Sequence, residues 1–197
     1  MQVQFETICQ QMITRLQKEL HPGLLYHNVY HTIDVMEQAE SIARNEGIKP
    51  GHELKLLKIG AAYHDSGFLF TYKNHEEKGC EIVREDLSGI LSDKDMDIVC
   101  GLIMATKIPQ SPHNLLEEII CDADLDYLGR DDFEPISQNL YKEFIDFGII
   151  KKETNWDDIQ INFFELHHYF TQTALIKRKN KKQEHLQILT GRNGNSS

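Results

Sequence analysis

The sequence predicts an all-α fold, a single multi-helix bundle, and three observations lead there. Apolar residues recur at three- and four-residue spacing through most of the chain. Period-two alternation, the mark of half-buried strands, is nearly absent. Proline (5) and glycine (12) are few in 197 residues, which leaves long stretches without helix breakers.

The elements follow in order. Phe5, Ile8, Met12, Leu16 and Leu20 give a first amphipathic helix, stopped by His21-Pro22-Gly23. A second runs from about Asn28 to Glu46 through Val35, Ala39 and Ile42, with Gly47 as its C-terminal stop. The third, Glu53 to Tyr63, reads LKLLKIGAAY and is apolar enough to be buried; it ends at His64-Asp65. A fourth spans His75 to Leu87, and a fifth begins at Ser92, where S-D-K-D resembles a capping box. After the break at IPQSP, Ser111 is the expected N-cap, with Pro112 at the first helical position of a helix reaching Asp124. Two more helices are expected over Phe133–Phe147 and Trp156–Thr173. Residues 1–180 read as one domain, and 181–197 as a polar, frayed C-terminal tail.

Composition narrows the function. Hydrophobic residues make up 40% and charged residues 26%, which is ordinary for a globular chain and excludes a largely disordered one. The net charge is −10 with no basic stripe ahead of the tail, so long DNA or RNA is excluded as a partner: phosphate neutralisation supplies most of that affinity. A small phosphate ester is compatible if a metal cation masks the repulsion. Cys9, Cys80, Cys100 and Cys121 are widely spaced and form no C-x-x-C pair, favouring buried free thiols in a reducing cytoplasm. The N-terminus has polar residues inside its apolar pattern and does not read as a signal peptide. No apolar run approaches the ~18 residues of a membrane span.

Five polar residues interrupt apolar, helix-like contexts. His27 and His31 are four apart in YHNVYHTIDV, so on a helix both imidazoles share a face. His64-Asp65 directly follows IGAAY, and Asp124 lies in IICDADLDYLG. Taken singly each has a bland reading: a lone histidine on a helix face is usually a hydrogen-bonded structural residue, and H-D pairs arise by chance. A bare carboxylate beside a core costs several kcal/mol, however, and a divalent cation shared by imidazole and carboxylate ligands relieves that cost for the whole set.

In this order and spacing, YHNVYHTIDV, AAYHDSGF, HEEKGCEIVRE and ICDADLDYLG resemble the HD-domain superfamily of metal-dependent phosphohydrolases, over roughly Tyr26 to Gly129. The resemblance implies that His31, His64, Asp65 and Asp124 ligate one divalent ion. A two-His, two-carboxylate set suits Mn, Fe, Co, Ni, Zn or, less well, Mg. It leaves open a second, mostly water-coordinated ion bridged by Asp65. Asp122 is then a nearby supporting residue or a local cap.

The string Y-H-N-x-x-H is similar to one in cyclic-nucleotide phosphodiesterases, which implies that His27 is a general acid, with Asn28 orienting its turn. His75 and Glu76 are expected to fold back over the site, and Lys107 to contact phosphate. The chain also departs from relatives. HDSGFLF lacks the acidic pair of hydrolases acting on guanosine tetraphosphate, and Tyr30 stands where relatives acting on deoxynucleoside monophosphates have arginine. The expected activity is hydrolysis of a nucleotide phosphodiester or monophosphate, with Asp65 also accepting a proton from the attacking water. The alternative is an HD-type ligand sensor or interaction module with a structural metal. An apolar face left uncovered on the first or last helix would serve a homodimer.

Overall fold

The computed structural model describes residues 2–194, and among these are nine α-helices and no β-strand. They are α1 (Gln2–Glu19), α2 (Val29–Asn45), α3 (His52–Tyr63), α4 (His75–Asp86), α5 (Asp93–Ala105), α6 (Leu115–Asp124), α7 (Phe133–Asp146), α8 (Trp156–Leu166) and α9 (Gln172–Gly194). None of these helices is long and apolar enough to cross a membrane.

Helix α3 is the axis of the bundle. Every residue from Ile59 to Tyr63 is buried, as are Leu54, Leu56 and Leu57, so α3 is apolar nearly all round and must be enclosed. Helices α1, α4 and α5 pack on one side of it, and α2, α5 and α6 on the other. Each fully buried leucine or isoleucine in these layers contributes about 1.5–3 kcal/mol. The α3–α5 contact needs Gly60, because a Cβ there would lie 2.8 Å from the Leu102 side chain. A third cluster joins Tyr26, Leu125, Tyr127, Leu128, Phe133, Phe164 and Leu189, and it fastens α7–α9 to the end of α6.

Several boundaries match the sequence reading and three differ. Asn28 caps α2, accepting from the Tyr30 and His31 amides, and Ser92 caps α5 through the Asp95 amide. Helix α6, however, starts at Leu115 and not after Ser111. Asn114 is its N-cap, accepting from the Glu117 amide, while the Ile108–Pro109 turn and Pro112 keep the preceding residues out of the helix.

The expected helix Trp156–Thr173 is two helices. Lys182 Nζ donates to the Phe164 and His167 carbonyls and closes α8. Asp122 accepts from the Phe170 and Thr171 amides and the Thr171 hydroxyl, which fixes the bend before α9. The frayed tail expected over 181–197 is likewise corrected: α9 continues to Gly194, with Leu189 buried and Leu186 packed on the third cluster. Apolar residues spaced along an otherwise polar segment are what dock it. Residues 195–197 lie outside the described residues. The four cysteines are free thiols.

Candidate active site

The site forms where α2, the end of α3 and the end of α6 converge. The Asn28 cap sets the first turn of α2 and brings His31 inward. His64 closes α3, and its Nδ1 donates to the Ala61 carbonyl at 2.8 Å, which leaves the Nε2 lone pair free to ligate. Asp65 is the next residue, before the 3-10 turn Ser66–Leu69, and Asp124 is the last residue of α6.

These four side chains converge closely. His31 Nε2 lies 3.1 Å from Asp124 Oδ1, 3.4 Å from His64 Nε2 and 3.6 Å from Asp65 Oδ2. His64 Nε2 lies 3.2 Å from Asp65 Oδ2 and 3.6 Å from Asp124 Oδ1. One divalent ion with nitrogen and oxygen ligands at about 2.0–2.2 Å holds its donors at this kind of spacing.

The donors also need such an ion. Asp65 Oδ2 is buried with no hydrogen-bond partner, facing an imidazole nitrogen whose ring proton is committed to Ala61. Burial works against charge on His64, yet Asp65 and then Asp124 outweigh it and push the imidazole up to about 9. Without a cation this cluster therefore takes up a proton in its place. Burial also opposes charge on Asp65, but His64 beside it holds the carboxyl below its ordinary range.

His27 does not join the ligands. Its Nδ1 is hydrogen-bonded to Glu143 of α7, and its ring stacks on Phe68, centroids 4.3 Å apart. Glu143 is fully buried and accepts also from the Tyr26 amide at 2.8 Å, the His27 amide at 3.1 Å and the Tyr72 hydroxyl at 2.8 Å. Burial opposes charge on His27, but the Glu143 bond more than offsets it and raises its affinity for a proton. Phe68 also stacks on His75, centroids 3.9 Å apart.

His75 Nε2 comes within 3.6 Å of Asp65 Oδ1, and its Nδ1 within 3.6 Å of Glu76 Oε2. Burial lowers the His75 imidazole below its usual value. Gly67 allows this approach, since a Cβ there would overlap the His75 carbonyl.

His27, Asp65, His75, Glu76, Thr106 and Asp124 line one side of a cavity of about 320 Å³, and residues of α7 and α8 line the other. Two expected residues lie elsewhere. Lys107 does not line the cavity; it pairs with Glu77 and is largely solvated. Asp122 points away from the ligands to hold Phe170 and Thr171, and burial pushes its carboxyl up to about 6 against those donors. Glu143 was not singled out from the sequence. It stands 116 residues from His27 on an amphipathic helix, where a glutamate reads as a solvated residue.

The HD-domain family model matches residues 28–126, half of the chain. The chain is an HD-domain protein. Its fold is similar to that of a predicted HD superfamily hydrolase from an uncultured Thermotogales bacterium, with a TM-score of 0.61 and 19% identity over 98% of this chain and 92% of that one. It is also similar to a protein from Lactobacillus plantarum, with a TM-score of 0.65 and 16% identity over 95% of this chain and 97% of that one. At these identities the likeness speaks for the fold alone. No curated protein matches the sequence. HD-domain membership and the His31, His64 and Asp65 group, which could hold a metal ion, together support a metal-dependent phosphohydrolase as the general class.

Proposed function

We propose that this HD-domain protein hydrolyses a phosphate ester of a nucleotide, a phosphodiester or a monophosphate, with His27 as general acid. The observation that carries the reading is that two metal-ligating carboxylates and a carboxylate-buttressed histidine share one cavity. A bound divalent ion supplies Lewis acidity and brings the pKa of a coordinated water toward neutrality.

The remaining roles belong to the chain. His31, His64, Asp65 and Asp124 hold the ion. Asp65 Oδ1, on the His75 side, is the proton acceptor for the attacking water. Glu143 binds Nδ1 of His27 and so leaves Nε2 to give its proton to the departing alkoxide. His75 and Glu76 border the phosphoryl position, and a single firmly held ion suffices for these roles.

The test is hydrolysis of phosphomonoester and phosphodiester dyes, and of a nucleotide panel, by protein loaded with Mn, Mg, Co or Zn. Metal-dependent turnover abolished by chelation is the expected result. Bound metal with no turnover on any of these esters would contradict the hydrolase reading and favour a ligand-sensing module.

A further inference from the structure

The cavity has two unlike halves. The metal half lies in or beside the segment that defines the HD domain, residues 28–126. The other half comes from α7 and α8, outside that segment, through Leu140, Phe144, Trp156, Ile159 and Phe163. Nothing in the family's own motif therefore decides what fits there.

Three polar side chains break this apolar wall. Trp156 Nε1 donates to Ser137 Oγ at 3.0 Å, the Ser137 hydroxyl donates to Gln160 Oε1, and Gln160 Nε2 donates to Asp157 Oδ1 at 3.2 Å. Ser137 and Gln160 are only 3% and 7% exposed. The relay fixes which end of the Gln160 amide is oxygen and which is nitrogen. An amide so held still has one N–H and one lone pair to offer to a ring that carries both an acceptor and a donor.

Charge sets a second limit. Among the described residues none that lines the cavity is lysine or arginine, and Asp65, Glu76 and Asp124 make its polar wall acidic. Lys107 is paired with Glu77 outside it. Negative charge on a ligand can be met only at the metal end, so one phosphoryl group is accommodated. A second would face carboxylates or an apolar wall. The volume, about 320 Å³, is at the small end for organic ligands.

We infer that α7 and α8 form a subsite for the flat, uncharged ring of a substrate with a single phosphoryl group, with Trp156 and Gln160 setting its preference; this rests on the phosphohydrolase reading. The ligand class is a nucleoside monophosphate or its ester, and nucleoside polyphosphates are excluded.

Trp156 is the only tryptophan in the chain, so its emission reports directly on the subsite. In titrations of the full chain, a nucleoside monophosphate is expected to change that emission saturably. Ribose phosphate, which lacks the ring, is expected to leave it unchanged. A nucleoside triphosphate is expected to bind at least about tenfold more weakly than the monophosphate. In turnover, kcat/KM for the monophosphate should exceed that for ribose phosphate by at least about 30-fold, and Gln160→Leu should narrow that ratio to about 3.

An emission that ignores the monophosphate, responds equally to ribose phosphate, or responds to the triphosphate at the same concentration would overturn the inference. The wild-type titration keeps it testable if Gln160→Leu does not fold. An emission response without hydrolysis of any ester would retain the subsite and remove the phosphohydrolase reading. Hydrolysis that does not distinguish the ring would do the reverse.

Discussion

The metal wall of the cavity and the α7–α8 wall facing it differ in how their residues are held. On the metal wall three histidines are fixed from nearby in the chain: His31 by the Asn28 cap, His64 by the Ala61 carbonyl and His75 by the close approach of its backbone to Gly67; His27 alone is held from afar, by Glu143. Each is also a charge or a lone pair that nothing else can replace. On the opposite wall the residues are held by packing and by one hydrogen-bond relay, and the apolar contact is shared among several side chains. The first wall should therefore fail abruptly when one residue changes, and the second should lose function in portions.

The sharpest way to break that contrast is Asp65→Ala. It removes a metal ligand and the group facing the attacking water, so metal content should be lost and turnover should fall by at least about a thousandfold. Retained activity in this variant would remove the distinction between the walls.

His27→Ala should keep the metal and lower kcat by about 100-fold or more, chiefly with poor leaving groups, as a leaving-group series would reveal. If it lost its metal, His27 would belong with the ligands. Glu143→Gln keeps an acceptor for the Tyr26 and His27 amides but withdraws the charge behind the imidazole. A drop in kcat of about tenfold, with metal unaffected, is expected from parallel kinetics and metal analysis.

Asp122→Ala probes the comparison differently, because it leaves three donors at the bend before α9 without their acceptor and does not touch the ligands. Chemical denaturation should report a loss of about 2–4 kcal/mol, and the folded fraction should bind metal normally. The smallest effect is expected from Lys107→Ala. The side chain pairs with Glu77 outside the cavity, so kcat/KM should stay within about threefold of wild type. A large loss would mean that Lys107 reaches the phosphoryl group after all.

The same contrast explains what could be read from the sequence. His64, Asp65 and Asp124 stand out in the sequence because they break apolar runs, where an unpartnered charge is costly, and the start of α5 was legible because Ser92 opens a local capping signature. Helix existence followed from apolar spacing for the same reason, since it depends on residues three and four apart.

The α7–α8 wall was not legible. Glu143 meets His27 across 116 residues, and nothing in FEPISQNLYKEFID separates it from a surface glutamate. Ser137 and Gln160 look like polar residues on amphipathic helices until the fold buries them together. The bend between α8 and α9 comes from Asp122 on α6 and from Lys182, which reaches back from well inside α9, so no local breaker marks it. Leu189 sits in a basic, polar stretch that by itself reads as a frayed end, yet its side chain is buried in the third cluster.

The ion site is tested most directly by the metal content of the purified chain beside that of His64→Ala. About one divalent ion per wild-type chain is expected, and none retained by the variant. Equal metal in both proteins, or none in wild type under any loading condition, would contradict it.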